Sequence, residues 1–129
     1  MTQLGLMDFI KDAKSRIKEV DIDAAESLIA EGYKVLDVRE PAEHNSGAID
    51  GSLNVPRGIL EAAADLQYPK ANPAIRDQRD AKWLVFCATG GRSALASDVL
   101  QKMGFADVTN VQGGMVAWIE AGKPTVKAG

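Results

Sequence analysis

Apolar positions along this chain alternate between two spacings. From residue 4 to residue 17 they fall at Leu6, Phe9, Ile10, Ala13 and Ile17, the period of one helical face. Residues 17–20 suit a short strand. Asp23 stands where a helix N-cap belongs, ahead of a helix over residues 24–31, and Gly32 lies just past its end. The run at residues 33–38 carries Val35, Leu36 and Val38 and reads as a buried strand, and residues 53–55, before Pro56, as another. Lys82–Phe86, reading Lys-Trp-Leu-Val-Phe, is the strongest strand signal and runs directly into Cys87. After a short glycine loop, Leu95, Ala96, Val99, Leu100 and Met103 predict an amphipathic helix over residues 93–103, ending at Gly104. Asp107–Val111 predicts a last strand. Gly113-Gly114 then breaks the chain, and residues 115–121 predict a last helix.

Strands alternating with helices predict an α/β architecture of three layers, α/β/α, around a central, mainly parallel sheet of about five strands. The pattern weakens only over residues 57–80, which hold Pro69, Pro73 and many charges. A connection of that length in a compact domain is often functional, and a partly helical excursion beside the mouth of the site is expected there. The first 16 residues read as an N-terminal helical extension and residues 17–129 as the domain proper.

Composition narrows the chemistry. At 129 residues and 46% hydrophobic, the chain suits one core. A net charge of −3 and a pI near 5.1 argue against nucleic acid as the main partner. Asp8, Lys11, Asp12, Lys14 and Arg16 interrupt any apolar signal segment, and no window suits a membrane span. A cytoplasmic location is therefore expected. Cys87 is the single cysteine and His44 the single histidine. An internal disulfide, a thiolate-rich metal site and a thiol relay resolved within the chain are excluded. Thiol chemistry here must use one nucleophile and finish on another molecule.

The segment Cys87-Ala88-Thr89-Gly90-Gly91-Arg92-Ser93 joins the strongest strand to the amphipathic helix. Ligands of open α/β sheets bind at the carboxyl ends of strands, where Cys87 falls. Gly90 and Gly91 permit a tight turn that can aim successive N–H groups at one point. The following helix adds the positive end of its dipole, and Arg92 adds a positive charge at the rim. Such a cup stabilises a thiolate and makes Cys87 reactive. A lone cysteine at a strand end is more often a small buried apolar residue; the glycines, the arginine and the helix start together tip the reading toward a nucleophile. The run is not a nucleotide-binding P-loop, because its lysine and glycine spacing are missing. Trp118 is expected in the core rather than at a ligand. His44, remote in sequence from Cys87, is expected to be structural or exposed rather than a base.

Four stretches in order resemble the rhodanese family, over about residues 17–124. They are Val35-Leu36-Asp37-Val38-Arg39-Glu40-Pro41-Ala42-Glu43; Gly47-Ala48-Ile49-Asp50-Gly51-Ser52-Leu53-Asn54-Val55-Pro56; the Cys87 to Ser93 loop, with Gly90 and Arg92 in the family's places; and Val111-Gln112-Gly113-Gly114-Met115-Val116-Ala117-Trp118. One departure is clear: the family often has His where this chain has Ala48, which bears on local hydrogen bonding. The resemblance implies a sulfurtransferase. Cys87 would take sulfane sulfur from a small anionic donor such as thiosulfate and pass it, as a persulfide, to cyanide, a thiol or a sulfur-accepting protein. No metal or organic cofactor is implied. The N–H groups from Ala88 through Thr89, Gly90 and Gly91 to Arg92 would bind substrate; Asp37, Arg39 and Ser93 would support the site, with Asp37 and Arg39 holding the end of their strand. A monomer or weak homodimer would suffice.

Two rivals follow from the same resemblance. Phosphatases or arsenate reductases of this fold have a loop one residue longer than the four residues between Cys87 and Arg92, and the shorter cup fits a tetrahedral oxyanion poorly. A persulfide carrier or partner-binding module is the other rival.

Overall fold

The computed structural model describes residues 3–127. Five strands, β1 (Lys18–Val20), β2 (Lys34–Asp37), β3 (Leu53–Asn54), β4 (Lys82–Phe86) and β5 (Asp107–Val111), form one sheet in the order β1-β5-β4-β2-β3, and every pairing is parallel. Parallel neighbours need crossovers, which α2 (Ile22–Ala30), α3 (Pro41–Ser46), α4 (Leu60–Ala64), α5 (Pro73–Arg76) and α6 (Gly91–Lys102) supply, while α1 (Leu6–Lys14) precedes the first strand and α7 (Gly114–Glu120) follows the last. This is the expected rhodanese-like α/β fold.

Strand β4 is the middle of the sheet, and its alternation divides the core. Trp83 and Val85 pack with Leu60, Ile75, Leu100 and Phe105 on one face. Leu84 and Phe86 pack with Ala25, Ile49, Met115 and Trp118 on the other. By the same parity Cys87 joins the first cluster. A strand buried on both faces reads as a continuous apolar run, which is why β4 stood out in the sequence. Trp118 lies edge-on to Phe86 with ring centroids 5.7 Å apart, and its indole N–H donates to Pro124 O at 2.9 Å, so it is a core residue.

Three local details differ from the sequence reading. Helix α2 starts earlier, because Asp21 rather than Asp23 is the cap, its carboxylate accepting from Ala24 N at 2.9 Å. Helix α6 starts at Gly91 rather than Ser93, because Gly90 at φ 102° completes the turn on its own. At Ala48 the hydrogen bonds come from the backbone: Ala48 and Val126 exchange N–H···O bonds of 2.9 and 2.8 Å, tying the chain end to the body.

Residues 57–80 contain a 3-10 turn (Arg57–Ile59), α4 and α5, and bury Leu60, Ala63, Ala64 and Ile75. Arg79 anchors the segment, with Nη1 donating to Met103 O at 2.7 Å, Nη2 donating to Ala64 O, and its guanidinium over the Phe105 ring. Helix α1 runs alongside α6: Ile10 lies over Gly91, Arg16 pairs with Asp98, and Gln101 donates to Arg16 O. Among the described residues, no helix is long and apolar enough to cross a membrane.

Candidate active site

Strand β4 delivers Cys87 to the carboxyl edge of the sheet, and the next residues turn away at once. The turn is held from outside. Met115 N donates to Cys87 O at 2.8 Å and Val116 N to Ala88 O at 3.0 Å, so the first turn of α7 grips the loop backbone. That approach requires Gly114. A Cβ there would collide with Cys87 O and would lie 2.7 Å from Ala88 O, and its φ is 55°.

Inside the turn, the Cys87 sulfur accepts two hydrogen bonds. Gly90 N–H donates to Sγ at 3.0 Å and Ser93 Oγ donates at 3.3 Å. Among the N–H groups from Ala88 to Arg92, Gly90 supplies the one direct bond to sulfur in this structure, and the Ser93 hydroxyl is the second donor. Both belong to the junction between the loop and α6, the positive end of a helix of 12 residues. Cys87 is 1% exposed, Gly90 and Ser93 are buried, and Thr89 is exposed at the crown of the loop. Gly90 O in turn accepts from Ala94 N at 3.2 Å and from Asn110 Nδ2 at 3.3 Å, and Asn110 also donates to Glu19 Oε2 at 2.8 Å. The loop is therefore fastened to β5 and, through Glu19, to β1.

Arg92 is at the rim but is not a free charge. Its Nη1 and Nη2 donate to Glu43 Oε1 and Oε2 at 2.8 and 3.0 Å, and both side chains are 38% exposed. Hydrogen bonding to Arg92 is the main reason the Glu43 carboxyl sits at about 2, and the same pairing raises Arg92 above its ordinary value. Glu43 is fixed from its own side as well, since Glu40 N donates to its Oε1 at 3.0 Å at the start of α3.

Asp37 and Arg39 pair with each other. Arg39 Nε and Nη2 donate to the Asp37 carboxylate at 2.8–3.1 Å, and Nη2 also reaches Gly47 O at 2.8 Å. His44 Nδ1 lies 2.9 Å from Asp37 Oδ2, so His44 is part of this structural cluster rather than a base beside Cys87. Asn54 Nδ2 donates to Asp37 O and Arg39 O, closing the end of β2 against β3.

Of the residues singled out in the sequence, the structure sets Gly90 and Ser93 on the Cys87 sulfur and places Arg92 at the rim, paired with Glu43. Sequence reasoning missed Glu43, Asn110 and Gly114 as parts of the site. The capping position of Glu43 announces a helix start but not a partner 49 residues away. Gly114 was read only as a chain break, although an adjacent glycine pair is also the signal of close backbone approach.

A family model for the rhodanese-like domain matches residues 21–121. An Arabidopsis thaliana protein named thiosulfate sulfurtransferase 16, chloroplastic, is 34% identical over 116 residues, covering 87% of this chain and 96% of that protein. A Rhodopseudomonas palustris structure, described as a protein of unknown function and possible tyrosine phosphatase, superposes with a TM-score of 0.87 at 35% identity, covering 98% of this chain and 99% of the other. A human single-domain sulfurtransferase superposes with a TM-score of 0.69 at 29% identity, covering 79% and 95%. The turn between β4 and α6, with its cysteine, glycines and arginine, thus sits in a chain that belongs to the rhodanese-like domain family.

Proposed function

We propose that this chain is a sulfurtransferase that carries sulfane sulfur on Cys87. The observation that carries the reading is the sulfur itself: the only thiol of the chain, held by Gly90 N–H at 3.0 Å and the Ser93 hydroxyl at 3.3 Å, at the start of α6. Those donors are aimed at Sγ, where negative charge rests in the attacking thiolate and to which it returns when the acceptor takes the outer sulfur.

The reaction has two displacements. The Cys87 thiolate attacks the outer sulfur of thiosulfate; a Cys87–S bond forms, the donor S–S bond breaks, and sulfite leaves with that bond's electron pair. The product is a persulfide anion, so total charge is unchanged. An acceptor, cyanide or a thiolate, then attacks the outer persulfide sulfur and returns the Cys87 thiolate. Neither step needs a metal, an organic cofactor or a general base. Gly90, Gly91 and the backbone from Ala88 to Arg92 frame the sulfur, Arg92 stands at the rim paired with Glu43, and Asp37 with Arg39 holds the neighbouring strand end. The physiological acceptor is a cellular thiol or a sulfur-accepting protein, and the setting is the cytoplasm.

The phosphatase description of the Rhodopseudomonas relative gives the rival a concrete form. The loop length opposes it: only four residues separate Cys87 from Arg92, a cup one residue short for a tetrahedral oxyanion. Steady-state turnover decides between them. Thiosulfate with cyanide should yield thiocyanate, while p-nitrophenyl phosphate should not be hydrolysed above the Cys87→Ser background. Phosphate release without thiocyanate would overturn the proposal. A persulfide that loads but turns over slowly with small acceptors would instead identify a carrier for another protein.

A further inference from the structure

We propose that Glu43 is a specificity-determining residue: by occupying the Arg92 fork at the rim, it tunes the site away from dianionic sulfur donors and toward donors carrying less charge. The inference rests on the sulfurtransferase reading and names the substrate class of that same site.

Geometry comes first. A guanidinium attracts an anion best when its paired N–H groups face the anion's oxygens. In Arg92 that face is taken, Nη1 and Nη2 each donating to one Glu43 oxygen at 2.8 and 3.0 Å. The carboxylate does not drift onto Arg92 by chance, because the Glu40 N–H holds it from behind at 3.0 Å. The two side chains are equally exposed at 38%, so a donor arriving from solvent meets the carboxylate as well as the guanidinium.

Charge comes second. The formal charges gathered around the loop are Arg92 and Arg39, both positive, against Glu43 and Asp37, both negative, while Glu19, which reaches the loop through Asn110, is paired with Lys14. They cancel. Arg39 cannot compensate, since it is 5% exposed and turned into Asp37 and Gly47. His44, in contact with the Asp37 carboxylate, adds at most a charge already shared with that group. Toward Cys87 the Arg92 charge is offset by Glu43, and the donors fixed on the sulfur are Gly90 N–H, at the α6 end, and the Ser93 hydroxyl. A dianion gains no net ionic attraction at this rim and is repelled by Glu43. A monoanion or neutral donor with the same sulfane sulfur is disfavoured much less.

The test removes the charge while keeping the shape. In Glu43→Gln the amide oxygen can still accept from Glu40 N–H, so α3 keeps its start; Glu43→Ala is the second variant if the first folds poorly. Two ratios are measured. The first is the alkylation rate of Cys87 by iodoacetate relative to neutral iodoacetamide, which reads the field at the sulfur without any turnover. The second is kcat/KM for thiosulfate relative to methanethiosulfonate, a sulfane donor with one negative charge fewer. Both should rise about fivefold at low salt and fall back toward wild type as salt screens the site. Both ratios staying within about twofold of wild type at low salt would overturn the role of Glu43. A wild-type protein that forms no persulfide from either donor would overturn the sulfurtransferase reading, and the donor preference with it; an unchanged pair of ratios in a protein that does form persulfide overturns the Glu43 inference alone.

Discussion

Two arginine–carboxylate pairs flank the Cys87 loop, and they differ in burial rather than in chemistry. Arg39 and Asp37 are 5% and 2% exposed, two residues apart in sequence, and closed in by Gly47 O, His44 and the Asn54 amide. Arg92 and Glu43 are each 38% exposed, 49 residues apart, and open to solvent on one side. The buried pair costs much to break and has no free edge for a ligand, so it serves the fold. The rim pair, being exposed, contributes little to stability, and the proposed role in donor binding falls to it. Similar hydrogen-bond lengths in the two pairs conceal that division.

The sharpest way to break the comparison is to strip the buried pair. Asp37→Ala leaves the Arg39 guanidinium buried without its carboxylate, and should destabilise the domain by about 3–5 kcal/mol. Urea unfolding reads the loss directly. A change below about 1 kcal/mol would mean that water reaches Arg39 and that the two pairs are equivalent after all.

A second large effect is expected where the loop is gripped rather than charged. Gly114→Ala sets a methyl group against Cys87 O and Ala88 O in a backbone conformation that alanine avoids. The strain should be about 1–3 kcal/mol, and because it falls on the loop backbone, sulfur transfer should drop more than the melting temperature does. Full activity with lowered stability would show that the loop keeps its shape without α7.

Arg92→Ala is the converse of Asp37→Ala. Thiosulfate kcat/KM should fall about 10-fold, because removing the guanidinium leaves the Glu43 carboxylate uncompensated at the rim and facing the dianion, while unfolding free energy changes by less than about 1 kcal/mol. A collapse of melting temperature with unchanged KM would move Arg92 into the structural class.

The smallest effect is the pH dependence of the rim pair. Glu43 has its folded-state pKa lowered to about 2 from an ordinary 4.5, so its stabilisation is fully present above about 4.5 and is lost as pH falls through about 2. Solvent screening keeps that contribution modest. The melting-temperature difference between wild type and Glu43→Gln should therefore shrink steadily below pH 4.5. A difference that is constant down to pH 3 and below would mean the pair does not form in solution.

What the sequence made readable, and what it did not, divides along the same line of local against long-range contact. β4 stood out because a strand buried on both faces has no polar alternation to blur it. The cup around Cys87 was readable because cysteine, Gly90, Gly91 and the start of α6 are neighbours in the chain, and the turn they make is local. Asp37 and Arg39, two residues apart, were readable as a brace for the strand end for the same reason, though not as partners of each other. Glu43 was not readable as the partner of Arg92, nor Asn110 as a support for Gly90 O, since each contact exists only after the parallel crossovers are complete. The α2 cap was misplaced by two residues because Asp21 and Asp23 are both acceptable caps, and the backbone conformation at Asp21 decides between them.

The central claim is a sulfur atom on one side chain, and intact mass measures it without assumptions about the acceptor. After incubation with thiosulfate and removal of small molecules, the wild-type chain should gain about 32 Da, one sulfur; cyanide should remove that gain, and Cys87→Ser, folded as judged by its unfolding transition, should never acquire it. A folded wild-type protein that stays at its original mass, or a Cys87→Ser protein that gains the same increment, would contradict the account.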